Sequence, residues 1–227
     1  PELPDALRRE DVKICTLRGK GLSLNRNNAI ACATGDICLI GDDDITYLPN
    51  HVPHIIEIFE SHPTIDIATF KYESRNNPKQ YPSYSFDLRQ SAKGYYVTSF
   101  EIAFRRKSVQ GVVQFNPLFG LNAPVLIDGE EGVFINDALN KGLSGFFFPY
   151  VIARHDHATT AERHASDPKH LMGNGAYIYL AYKDGTAPLR YVLFAWRSCK
   201  KNPLKFFPML RHVLQGVKYI KKNHIPD

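Results

Sequence analysis

The sequence predicts an α/β domain, a mixed sheet flanked by helices, followed by a basic helical tail. Three observations carry that prediction. Strand-like and helix-like segments alternate as β-α-β-α-β through the first half of the chain before a more mixed second half. A short apolar run, Ile37 to Ile40, lies between Gly35 and Gly41 and leads at once into Asp42-Asp43-Asp44. Four apolar residues bounded by turn signals read as a strand buried on both faces, with the aspartates at its C-terminal end, where open α/β sheets place ligands. The third observation is charge, which gathers at one end of the chain.

The 227 residues suffice for one substantial core, and 44% hydrophobic with 22% charged residues is ordinary for a globular protein. No apolar run approaches the ~20 residues needed to cross a bilayer, and no basic-then-apolar leader opens the chain. Cys15, Cys32, Cys38 and Cys199 show no CxxC spacing and read as reduced core thiols, not a disulfide or zinc framework. The net charge of +5 is uneven. From Leu189 onward nine Lys and Arg face Asp227 alone, so this tail carries +8 and the rest of the chain −3. That points the tail, not the acidic body, at an anionic surface. The expected division is a domain over 1–188 and a basic aromatic helical tail over 189–227.

Taken in order, Val12 to Leu17 is a strand candidate, followed by the basic, glycine-punctuated loop Arg18-Gly19-Lys20-Gly21. Ser23 is expected to cap a helix running to about Thr34, with Leu24, Ala29, Ile30 and Ala33 toward the core and Gly35 ending it. Pro49 suits the first turn of a second helix marked by Val52, Ile55, Ile56 and Phe59. Ile65 to Tyr72 reads as a strand. Residues 74–94 are polar and tyrosine-bearing, long enough to suggest a lid or binding loop. Tyr95 to Phe104 returns to extended apolar character. Gly129-Glu130-Glu131-Gly132 opens a helix that stops at Gly142, and Gly145 to Ile152 is a buried strand ending at Arg154-His155-Asp156-His157. A helix near 169–183 precedes the tail.

Four elements carry chemistry. Three adjacent carboxylates repel one another unless something positive sits among them, and a divalent cation with oxygen ligands is the economical answer. Turn and cap chemistry uses the same residue types, so position off a buried strand is what favours a site. Lys20-Gly21 and Arg26-Asn27, at the helix preceding that strand, could hold phosphate through backbone N–H groups and charge. Glu130 and Glu131 suit a first helical turn by the macrodipole alone, but either could act as a general base. His155 lies where it could complete a metal's coordination.

Lys20-Gly21-Leu22-Ser23-Leu24-Asn25-Arg26-Asn27, then Gly35 through Asp44, then Phe115-Asn116, Phe119-Gly120, Gly129-Glu130-Glu131 with Phe134, Gly142, Pro149 and His155, occur in the order shown by the inverting glycosyltransferases of family 2, which the chain resembles from about residue 12 to about residue 160. The resemblance implies a GT-A fold, a nucleotide-binding sheet joined to an acceptor-binding half. It implies that Asp42 and Asp44 form a DxD motif holding Mn²⁺ or Mg²⁺, aided by His155. Asp43 would contribute to the ribose or metal shell, and Lys20, Gly21, Arg26 and Asn27 would line the nucleotide site. Gly129 and Glu130 would fall on the acceptor side, and Glu131 would replace the catalytic aspartate. The family's fold begins with a strand, a helix and a second strand that shape the nucleobase pocket. No such segment precedes Val12, so either the chain is trimmed or the protein lacks that pocket.

The reaction so implied is metal-dependent transfer of a sugar, with inversion, from a nucleotide donor such as a UDP-sugar to a saccharide or lipid-linked saccharide in surface polysaccharide biosynthesis. The expected location is cytoplasmic, extended by peripheral contact at the inner face of the membrane through residues 189–227. Trp196, Phe206, Phe207 and Tyr219 interleave there with cations, as in helices lying on anionic bilayers. Packing of the same aromatics on the domain is the competing reading. Nucleic acid is not an expected partner. Two rivals stand beside this function: a nucleotidyltransferase on a related fold, and a non-catalytic membrane- or nucleic-acid-binding module derived from a transferase.

Overall fold

The computed structural model describes residues 9–76, 78–90, 95–157, 167–199 and 205–224. Residues 1–8, parts of the 74–94 stretch (77 and 91–94), and Lys200, Lys201 and Asp227 of the tail lie outside the described residues. The elements are α1 (Leu22–Cys32), β1 (Ile37–Leu39), β2 (Thr46–Tyr47), α2 (His51–Ser61), β3 (Ile67–Glu73), β4 (Phe86–Asp87), β5 (Ile102–Arg105), α3 (Arg106–Val109), α4 (Glu130–Asn140), β6 (Gly145–Arg154), α5 (Pro168–Ala181), α6 (Ala187–Cys199) and α7 (Phe206–Asn223).

Strands run β1-β5-β3-β6-β2 across the sheet, with β4 added on β6. Among the described strands, β3 and β6 pair in parallel; β1–β5, β3–β5, β2–β6 and β4–β6 are antiparallel. Period-two alternation sorts the core into two faces. Ile67, Ile102, Phe104 and Phe147 point to the face covered by α1 and α4, where Ile30, Phe134 and Ala138 meet them. Ala68, Phe70, Ala103, Phe148 and Ile152 point to the other, under Ile55, Ile58 and Phe59 of α2. The expected mixed sheet flanked by helices is the observed one.

Several local expectations are corrected. Val12–Leu17 is not a strand: among the described residues it pairs with none, and Lys13 Nζ and Asn28 Nδ2 tie it to α1 through the Cys32 and Cys15 carbonyls instead. Ser23 does not cap α1; it lies inside the helix and donates to the Phe119 carbonyl at 2.7 Å. Leu24 and Ala29 face outward, and the buried positions of α1 are Ser23, Arg26 and Ile30. β1 is half-buried, not buried on both faces, because it is the sheet's edge with β5 as its paired neighbour. Val52 and Ile56 of α2 are exposed, and Pro49 precedes the helix. Thr98–Glu101 turns instead of extending, closed by a reciprocal capping box. The four cysteines are free but half-buried.

Glycine sets the start of α4. Gly129 takes φ 97° at the N-cap of α4, a left-handed conformation that costs other residues about 1 kcal/mol or more. Beyond β6, α5 begins with Asp167 accepting from Lys169 N and with Pro168 in the first turn, a strong start signal. A Cβ on Gly175 would overlap the Val213 carbonyl, and one on Gly216 the Met172 carbonyl, so α5 and α7 touch backbone to backbone. The expected division at 188/189 falls within α6, whose Ala187, Tyr191 and Ala195 join a core with Leu171 of α5 and Met209, Val213 of α7. No described helix is long and apolar enough to cross a membrane.

Candidate functional site

The ends of β1 and β6, the start of α4 and the Thr98–Ser99 turn surround a cleft of about 870 Å³. Arg26 lines this cleft. The helix α1 delivers it, 7% exposed, to three carboxylates at once: Nη1 donates to Glu131 Oε1 at 3.1 Å and Glu130 Oε1 at 3.3 Å, and Nη2 to Asp42 Oδ1 at 3.4 Å. The guanidinium also stands 5.3 Å from the Phe115 ring centroid. Its burial works against its charge, but Glu131, Glu130 and Asp42 more than offset that and hold it cationic.

The acidic side is perturbed in the opposite sense. Burial, then the neighbouring Glu131, raises Glu130 well above the usual carboxylate range, with Arg26 pulling against them. Burial likewise raises Glu131, and Arg26 is the largest influence lowering it. Glu130 Oε2 is buried without a hydrogen-bond partner. Asp128 lies beside them, and one ligand atom from each of Asp128, Glu130 and Glu131 falls within 4.8 Å of the others, the group of three candidate metal-ligand side chains found among the described residues.

The expected metal residues are placed differently. Asp42 is already engaged, its Oδ2 accepting from Ser99 Oγ at 2.8 Å and its Oδ1 from Arg26. Asp44 Oδ2 stands 3.2 Å from Nε2 of His155, a buried ring whose Nδ1 has no hydrogen-bond partner. Adjacent ligands on an octahedral ion with bonds of about 2.1 Å stand about 3 Å apart, so this pair has the spacing of two ligands on one ion. The same 3.2 Å is that of a direct His155–Asp44 ion pair, so these are two side chains that could share one divalent cation. A cation among Asp128, Glu130 and Glu131 would stand close to the Arg26 guanidinium, which already pairs with Glu130 and Glu131.

Asp43 is exposed and faces both the cleft and a second groove of about 700 Å³ between α1 and β1, which shares Leu22, Arg26 and Asp42 with it. Lys20 is exposed on the loop before α1, and Gly21 is the N-cap of that helix with φ 140°. Asn27 turns away from the cleft: its amide donates to the Phe115 carbonyl at 2.8 Å and accepts from Phe115 N at 2.7 Å, clamping that segment to α1.

Other cleft residues carried no sequence signal. Ser99 meets Asp42 across 57 positions of sequence. His170, Asn174 and Tyr177 reach the cleft from α5, where Asn174 Nδ2 donates to Asp128 Oδ2 at 3.2 Å. Asp128 could have been found, since it directly precedes Gly129-Glu130-Glu131. The Thr98–Ser99 turn is braced from beneath by Glu101, fully buried, which accepts from Thr98 N at 2.6 Å, Lys79 Nζ at 2.6 Å and the Tyr81 hydroxyl. Burial lowers the Lys79 ammonium's pKa, opposed chiefly by Glu101.

A sheet of this topology with an acidic run at the end of β1 and paired carboxylates opening α4 is the arrangement of the GT-A transferases. The Glycosyl transferase family 2 pattern matches residues 2–118, and the chain belongs to that family. No curated protein sequence matches significantly. Among solved structures, S. aureus TarS 1–349 in complex with UDP-GlcNAc aligns at 12% identity and TM-score 0.59, covering 98% of this chain and 79% of that one. S. aureus TarS aligns at 15% identity and TM-score 0.50, covering 77% and 30%. A mycobacterial protein aligns at 16% and 0.51, covering 73% and 53%. At these identities the likeness is one of fold. The chain spans less than a third of the length of the TarS structure.

Proposed function

We propose that the cleft transfers a sugar from a nucleoside-diphosphate donor, a UDP-sugar, to a saccharide hydroxyl with inversion, in surface polysaccharide biosynthesis at the inner face of the membrane. The observation that carries this reading is that Arg26 joins the donor-side Asp42 to the acceptor-side Glu130 and Glu131 within one cavity. A carboxylate for proton removal and the acidic end of β1 are thereby one guanidinium apart. UDP and UDP-GlcNAc complexes of S. aureus TarS support the donor class.

Glu131 is the general base in this scheme. Its ionised carboxylate accepts the acceptor hydroxyl proton as that oxygen bonds to the anomeric carbon; the bond to the diphosphate oxygen breaks and its electron pair leaves with the nucleoside diphosphate. Glu130 and Gly129 shape the acceptor side. Arg26 opposes the burial that raises the Glu131 pKa, favouring its ionised form, and offers positive charge toward the diphosphate. Lys20 and Gly21 at the α1 N-terminus are positioned for phosphate, with Asp43 toward the ribose. Asn27 serves the site indirectly, by fixing Phe115 beneath Arg26. Mn²⁺ or Mg²⁺, held by Asp44 and His155 with Asp42 nearby, would neutralise charge on the leaving group.

The test is release of UDP from UDP-GlcNAc and other UDP-sugars with Mn²⁺ and a saccharide acceptor. Glu131→Gln should lower turnover by about 10²–10⁴-fold while leaving UDP binding by calorimetry intact. A chain that neither binds UDP nor turns over any UDP-sugar overturns the proposal.

A further inference from the structure

We infer that the outer face of α6, together with the start of α7, docks on an anionic phospholipid surface. Leu189, Val192, Leu193 and Trp196 are 62%, 42%, 37% and 49% exposed. Their spacing of i, i+3, i+4 and i+7 places all four on one side of the helix, opposite the buried Ala187, Tyr191 and Ala195. Phe207, at the beginning of α7, is 79% exposed, the highest value of any large hydrophobic residue described. Single exposed leucines need no account, but a continuous apolar stripe on one helix marks an interaction surface.

Charge selects the occupant. Arg197 of α6, Lys205 and the α7 residues Arg211, Lys218, Lys221 and Lys222 are exposed, and no Asp or Glu occurs between Gly185 and Pro226. An apolar stripe on a segment that carries cations but no carboxylate from Gly185 to Pro226 complements a bilayer with anionic headgroups, the stripe entering the acyl boundary and the cations meeting phosphate. A second copy would oppose like charges across the contact. Single-stranded nucleic acid would need ring platforms, whereas three of the four stripe residues are aliphatic. The tail's aromatics differ in exposure: Phe206 and Tyr219 pack against buried clusters, while Trp196 and Phe207 are 49% and 79% exposed. α5, which lines the cleft with His170, Asn174 and Tyr177, shares a core with α6 and α7, so docking would fix the cleft relative to the lipid.

This docking is independent of the donor and acceptor proposed above, and binding is read without turnover. Trp196 is the chain's single tryptophan, so its fluorescence reports on the stripe directly. Vesicles of phosphatidylcholine with about 30 mol% phosphatidylglycerol should shift its emission to the blue and pellet the full chain, with both effects falling steeply from about 0.1 M to about 0.5 M salt. Pure phosphatidylcholine should do neither. Leu193→Ser with Leu189→Ser, and separately Arg197→Glu with Arg211→Glu, should each weaken vesicle binding about tenfold or more, with basal UDP release in solution unchanged. Unshifted Trp196 emission with anionic vesicles overturns the inference, whether or not the variants fold. So does binding that the variants leave intact, or a dimer in sedimentation equilibrium that the leucine variants dissociate.

Discussion

Arg26 meets Glu130, Glu131 and Asp42 while almost wholly out of water, so its removal leaves buried carboxylates without their counter-charge. Breaking such a buried arrangement costs about 3–5 kcal/mol, well above the 0–1 kcal/mol of an exposed pair. Arg26→Ala should therefore lower unfolding stability by about 3 kcal/mol or more in urea titrations at neutral pH. The same substitution removes the strongest influence holding the Glu131 pKa down. The activity of the intact protein should rise with pH along a limb above the ordinary carboxylate range, as Glu131 loses its proton. In Arg26→Ala the residual activity should follow a limb displaced to higher pH; an unmoved limb would show that Arg26 does not tune the base. Sequence pattern marks Arg26 as a phosphate ligand through its place ahead of the acidic run. Its contact with Glu130 and Glu131, more than a hundred positions away, has no local signature. Ser99 and the Lys79–Glu101 pair escaped notice for the same reason.

Among the described elements, α5 and α7 meet at glycines where a Cβ would have no room. At Gly173 a Cβ would sit 2.5 Å from the Asp128 carbonyl, and at Gly175 and Gly216 it would overlap backbone of the facing helix. Alanine gains up to about 1 kcal/mol over glycine in a helix interior, but backbone cannot yield as a flexible side chain does, and overpacking costs about 1–3 kcal/mol or more. Overlap should win. Gly175→Ala and Gly216→Ala should each lower the thermal midpoint, and Gly173→Ala should in addition depress turnover by displacing the loop that leads into α4. Patterning made α4 and β6 legible, because glycine marks both ends of the helix and an apolar run fills the strand. It failed at Val12–Leu17, where β-branched composition is present but no pairing partner is found among the described residues, and at α1, where the polar Ser23 and Arg26 occupy positions that helical periodicity assigns to apolar side chains.

For the molecule as a whole, the buried acidic pair gives stability a pH dependence of known sign. The folded state raises the Glu130 and Glu131 pKa values, so between the ordinary carboxylate value and the raised one it binds more protons than the unfolded chain does. Their contribution is complete below the unfolded value and is lost as pH climbs through the folded one. Glu130→Gln, which cannot ionise, should gain stability relative to the parent as pH rises from about 5 to about 8, read as a growing difference between urea midpoints. The fold class was legible at this scale because apolar segments alternate in length and period. The joining of the tail's α7 to α5 was not, because it rests on two glycines that each look like ordinary helix interruptions.

That glycine seam has a thermodynamic corollary. Where two helices approach backbone to backbone at glycines and share a side-chain core around them, neither can shift without the other, and the opening of one exposes the amides of both. Amides of α5 and α7 should thus exchange with solvent deuterium as a single slow unit, with α1 and β1 opening separately. Any ligand that tightens the cleft through Asn174 and Tyr177 should slow exchange in α7. By reciprocity of linked equilibria, whatever steadies α7 should tighten that ligand by the same factor.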